Sequence, residues 1–160
     1  MAVIGWGKPR IFVKDLDTEG ASFEELSTPV EDSTSLETTK GDKTEAKVEG
    51  GENEDVKYAK NTYALSLTIR AAKGRKKPIA DVDGIITHNY EVMLQPEDAE
   101  VDGFHIAKSK VSLEDSWSAA DGGTWIYTFD ALKTEGHKQL EWGKVTGTTA
   151  SNVSFTETTE

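Results

Sequence analysis

The longest regular alternation in the chain falls at residues 63–71. Tyr63, Leu65, Leu67, Ile69 and Ala71 take every second position, with Ser66, Thr68 and Arg70 between them. Wound as a helix, Tyr63 and Leu67 would share a face while Leu65 and Ile69 fell nearly opposite. Laid out as a strand, all five point to one side. Nine residues at about 3.4 Å each reach roughly 30 Å. The pattern predicts the central strand of an antiparallel sheet, with partners on both edges and a cover over its apolar face.

Shorter alternations surround it. Ile11 and Val13 mark a strand over 10–16, closed by the turn formers Asp15, Asp17 and Gly20. Phe23 and Leu26 suit a single helical turn that Pro29 ends. Residues 31–39 are rich in Ser and Thr and read as a loop or an edge strand. Residues 43–49 alternate strictly, with Lys43, Glu45, Lys47 and Glu49 on one side and Thr44, Ala46 and Val48 on the other. That is the pattern of a half-buried strand with an opposite-charge outer face. Gly50 and Gly51 turn the chain into a strand carrying Val56 and Tyr58. Further strands are predicted at Tyr90/Val92/Leu94, at Phe104/Ile106 with Val111 and Leu113 beyond, at Trp125/Tyr127/Phe129, at Leu140/Trp142 and at Val153/Phe155. Residues 114–120 suit one helical turn before the hairpin connection Asp121-Gly122-Gly123. The expected fold is mainly β: an antiparallel sandwich or barrel of eight or nine strands with at most one short helix, formed by residues 1–160 as one domain. Residues 1–9 read as a flexible arm and 156–160 as a frayed tail.

Composition narrows the functional classes. Hydrophobic residues are 36% of the chain, and 29 acids against 18 bases give a net charge of −11. Such a surface disfavours binding nucleic acid through its phosphates. The absence of cysteine excludes disulfides, thiolate metal sites and a cysteine nucleophile. The N-terminal residues lack a basic start followed by an apolar core, so a secretory leader is not expected. No apolar run approaches the length of a membrane-spanning helix.

Candidate chemistry is sparse. Asp15, Asp17, Glu19 and Gly20 match the opening of a calcium loop, but its closing Glu position holds Leu26 and no long helices flank it. His88, His105 and His137 stand apart, without metal or triad spacing. His105 falls opposite Phe104 and Ile106 and is expected to face outward. No glycine-rich phosphate loop precedes a helix. The chain is not expected to be an enzyme, and no cofactor or metal is expected. Trp125 reads as core, Trp6 and Trp117 as candidate subunit anchors. The only basic cluster, with Lys73, Arg75 and Lys76, reads as an exposed loop between strands.

The stretch Val30-Glu-Asp-Ser-Thr-Ser-Leu36, then Lys40-Gly-Asp-Lys-Thr-Glu-Ala-Lys-Val-Glu-Gly-Gly-Glu52, then the long strand, resembles the tail tube proteins of long-tailed phages and prophages. The resemblance implies subunits that close into a ring, usually of six, and rings that stack into a tube. One sheet face would line a channel for DNA. The partners would be further copies of the chain and other tail proteins, with DNA as non-adhering cargo and no membrane. The place would be the virion tail, and the host cytoplasm during assembly. The acidic wall would repel phosphate over a screening length of about 8 Å. Glu45, Lys47 and Glu49 are the candidate lumen face. Trp6, Trp117, Lys73, Arg75 and Lys76 are candidate subunit contacts. The alternative is a β-sandwich carbohydrate- or protein-binding module presenting Trp6, Trp117 or Trp142.

Overall fold

In the computed structural model, residues 4, 6–147 and 149–158 are described. The expectations for residues 1–3 and 5 of the arm and 159–160 of the tail lie outside them. The chain is all β, sandwich-like rather than a closed barrel, with no helix among the described residues. Its strands are β1 (Arg10–Asp15), β2 (Glu24–Glu25), β3 (Ser35–Thr39), β4 (Lys43–Lys47), β5 (Asn53–Tyr58), β6 (Thr62–Arg70), β7 (Ile85–Gln95), β8 (Gly103–Ser118), β9 (Gly122–Ala131), β10 (Glu141–Thr146) and β11 (Ser154–Glu157). Nine strands form one sheet with the path β2-β1-β7-β8-β9-β6-β3. Off that path β10 pairs with the start of β8, and β11 pairs with β10. Strands β4 and β5 form a separate two-stranded sheet.

Alternation places the core. Leu65, Leu67 and Ile69 of β6 are fully buried, as are Tyr127 and Phe129 of β9, and β1 contributes Ile11 and Val13. They form one apolar cluster with Val92, Ile106, Val111 and Leu113. Ile106 and Val111 differ by an odd number yet share this cluster. Between the pairs Val92↔Ile106 and Tyr90↔Ser109, β8 advances by three residues while β7 moves by two. The extra residue is a bulge that flips the side-chain phase of β8. Burying each large apolar side chain contributes about 1.5–3 kcal/mol.

A second, smaller cluster lies on the opposite face of β1 and β7. Phe12, Met93 and Val145 are buried there, with Phe23, Val153 and Phe155 packed against them. The β10–β11 pair is therefore a flap over the outer face of the sheet. The segment after β2 bridges the sheet's margins, since Leu26 N–H donates to Ile11 O (2.9 Å) and Val30 N–H to Thr68 O (2.8 Å).

Several expectations need correction. Strand β6 has partners on both edges, but it lies one place in from the β3 margin, and β8 holds the centre. The helical turn expected near Phe23 is the short strand β2, drawn out by pairing with Phe12 and Val13. The turn expected over 114–120 is instead the far end of β8, laddered to β9 as far as Ser118↔Gly122. Strand β4 is not half-buried: all its residues are exposed, because neither face of β4–β5 meets the core. Trp142 is exposed, as the binding-module alternative has it, while its neighbours Glu141 and Gly143 are buried. Within the tail, Thr156 pairs with Lys144, and Thr158 N–H donates to Trp142 O (3.0 Å), so 156–158 are not frayed.

Candidate functional site

Strand β6 carries a different feature at each end. At its start, facing Thr39 of β3, the chain leaves the sheet as the β4–β5 hairpin. The departure is tight: Gly41 N–H donates to Asn61 Oδ1 (3.0 Å), and a Cβ at Gly41 would overlap the Ala59 carbonyl. The far turn uses Gly50 (φ 97°) and Gly51 (φ 88°), a left-handed backbone that side chains other than glycine disfavour. Every residue of the two strands is exposed except the half-buried Val56.

The candidate lumen residues fall on this hairpin. Glu45 is flanked by Lys43 (2.8 Å) and Lys47 (3.4 Å). The hydrogen bond and charge of Lys43 hold the Glu45 carboxyl below its ordinary range. Its negative charge is thus locally matched. Glu49 belongs instead to the hairpin tip with Glu52, and Glu54 and Asp55 follow at the start of β5, without a base between 49 and 55. Among the described residues no ion pair holds Glu49, Glu52 or Glu54.

At the other end of β6 lies the basic loop. Ala71 N–H donates to Gly123 O (2.8 Å), which carries the chain past the tip of the β8–β9 hairpin. Gly123 pairs with Trp117, and a Cβ there would lie 3.2 Å from Ala71 and 3.6 Å from the Trp117 ring. The loop is then pinned from inside. Ile79 is buried, and the Tyr127 hydroxyl donates to Ile79 O (2.9 Å) while accepting from Ile79 N–H (3.3 Å). Burial pushes the Tyr127 phenol above its ordinary pKa, so it stays a donor. Lys77 is spent internally, on Asp115 (2.9 Å) and Asp81 (3.1 Å). Their hydrogen bonds, that to Asp115 first, raise its pKa. Lys73, Arg75 and Lys76 remain exposed, with Arg75 bonded to Arg70 O (2.6 Å). Among the described residues no ion pair holds any of the three. Trp117, which meets Gly123 where Ala71 leads into this loop, is 75% exposed.

The structure therefore brings Trp117 to the basic loop and leaves Trp6 elsewhere. Trp6 is 79% exposed at the rim of a cleft of ≈ 650 Å³ whose floor includes Leu36, Leu65, Leu94 and Phe104. Trp142 stacks edge-on against Phe104 (5.6 Å) at the start of β8, whereas Trp117 is near its end.

Sequence reasoning missed one polar cluster. His105 is 5% exposed rather than outward-facing. Its Nε2 lies 2.6 Å from Glu91 Oε2 and its Nδ1 3.0 Å from Glu141 Oε1. His137 Nδ1 adds a contact to the same Glu141 oxygen at 3.1 Å, and Phe155 stacks on His105 at 4.8 Å. Burial pushes the His105 pKa down, but the bonded carboxylates of Glu91 and Glu141 outweigh it, and the net shift is upward. Only a protonated ring donates from both nitrogens. The ring thus ties β7, β8 and the β10–β11 flap together.

His88 and the first acids also serve the chain itself. Asp15 accepts from Asp17 N–H (2.9 Å) and Thr18 Oγ1 (2.8 Å) and meets His88 Nδ1 at 2.8 Å. Asp17 accepts from Asn89 N–H at 2.7 Å. Among the described residues no group of three or more His, Asp or Glu is placed to hold a metal ion. No protein-family model and no curated protein matches the chain.

Proposed function

We propose that the chain is a structural subunit of a phage or prophage tail tube, which assembles with further copies of itself into stacked rings around a passage for DNA. The observation that carries this is the β4–β5 hairpin, which stands outside the main sheet with both faces uncovered. A lone two-stranded hairpin is marginal in water. A chain that keeps one in the open has a use for it against another surface.

Two further features support the reading. The outer face of β6, β9 and β8 carries hydroxyls in register, Ser66–Thr128–Ser112, with Arg70–Thr124–Ser116 beyond. Such a face hydrates well and holds no row of cations for phosphate to settle on, and the net charge of −11 opposes adhesion further. We assign the channel lining to this face rather than to Glu45, Lys47 and Glu49, whose hairpin lies off the sheet. The chemistry is passive: DNA slides past a surface on which Arg70 and Lys110 stand apart among hydroxyls, Asp130 and Glu114, with no cluster of cations to hold phosphate.

The test is direct. Concentrated protein, alone and co-expressed with other tail proteins, is examined by sedimentation and negative-stain electron microscopy. Rings or tubes with a central channel are expected. A monomer under every condition, with tryptophan fluorescence quenched by sugars, would transfer the chain to the binding-module class.

A further inference from the structure

The hairpin tip and the basic loop sit at opposite ends of β6, separated by about 30 Å of strand. Among the described residues no ion pair joins the two within one chain. Their charges are complementary: four acids and no base in 49–55, four bases and no acid in 73–77. We infer that the acidic hairpin tip of one copy docks on the platform formed by Lys73, Arg75, Lys76 and Trp117 of a second copy. This deepens the tube reading and rests on it for the use of the contact.

The platform is suited to its occupant. Ile79 and Tyr127 anchor the loop in the core, so it is held before any partner arrives. Lys77 is already paired with Asp81 and Asp115, which leaves Lys73, Arg75 and Lys76 to face outward. Trp117 supplies a broad exposed ring at the start of the loop, where it and Ala71 both meet Gly123, and is of the residue type that most often anchors a contact. The hairpin is suited likewise. Its tip is a narrow glycine turn able to reach a recess, and Val48, at 43% exposed, precedes the acids as an apolar contact for Trp117.

The contact is heterologous, since two different patches meet, so it propagates head to tail. Exposed charge pairs are individually weak. A ring repeats the contact in parallel, and the repeats reinforce one another.

The chain has no cysteine, so single thiols can be placed at will. A mixture of Glu52→Cys and Arg75→Cys proteins is oxidised mildly. Cross-linked dimer is expected in at least ten-fold excess over a mixture of Glu52→Cys with Glu135→Cys, another exposed position, and is expected to fall several-fold at high salt. Second, the tip is reversed (Glu49→Lys, Glu52→Lys, Glu54→Lys) in one protein and the loop (Lys73→Glu, Arg75→Glu, Lys76→Glu) in another. Each alone is expected to lose self-association, and an equimolar mixture to regain it. Circular dichroism checks that both fold. Tubes that form equally well with either reversal would overturn the docking and leave the tube standing. Preferential cross-linking without rings or tubes would support the docking and remove the tube. Cross-linking without preference, in a protein that never associates, overturns both.

Discussion

At the scale of single residues, His105 does the most with the least exposure. Its partners by element are Glu91 on β7 and Glu141 on β10; His137 also meets Glu141, and Glu157 on β11, paired to Lys138 at 3.0 Å, is hydrogen-bonded to Glu141 in turn. Because the folded pKa of His105 is raised, its contribution is full below about pH 6.5 and is lost as pH climbs through the folded value. His88, raised by its hydrogen bond to Asp15, acts in the same direction from an exposed position. Urea unfolding should therefore give lower stability at pH 8.5 than at pH 6, with a shallower dependence in His105→Gln. That variant should also lose about 3 kcal/mol at pH 6, the lower end of the range for a broken buried pair, because it strips the cation from buried Glu141 and half-buried Glu91 while His137 still meets Glu141. An unchanged slope would remove His105 from this role. The alternation of Phe104 and Ile106 correctly put His105 on the other face of β8. What alternation could not say is that β10 and β11 return, a long way down the chain, to cover that face.

Among the elements, the strands with one covered face were legible. The spacing of Leu65, Leu67 and Ile69 marked β6, and Tyr127 and Phe129 marked β9, because a half-buried sheet writes a period of two into its sequence. Two kinds of element were misread. Residues 114–118 look locally helical, yet they have ready backbone partners in β9, and a ladder outweighs a weak local preference. Residues 43–49 alternate without being half-buried, since the alternation there separates Lys43, Glu45 and Lys47 from small side chains rather than inside from outside. The pairing of Trp117 with the basic loop was hidden too, as nothing local brings Gly123 beside Ala71. Because Ala59 N–H reaches Asp42 O (2.8 Å), residues 43–58 can be replaced by a short Gly-Ser turn. Calorimetry of that deletion should show a thermal midpoint within a few degrees of the parent, as expected for about 1 kcal/mol or less. Sedimentation should show no self-association. A large drop in the midpoint would mean that the hairpin supports its own subunit.

For the molecule as a whole, charge is unevenly placed as well as negative. A net −11 leaves the basic loop as the single concentration of cations, and its Lys77 is neutralised at home. Duplex DNA titrated with the protein in about 0.15 M salt should keep its electrophoretic mobility. A retarded band that disappears at high salt would identify the basic loop as a phosphate site and count against a non-adhering passage. The placement of acids before β6 and bases after it has one more result. In the proposed tube, a tip-to-loop contact between rings would leave two unlike faces, one negative and the other positive. Its two closures would then call for chemically different proteins, and elongation would run in a single sense, with each arrival renewing the face that receives the next.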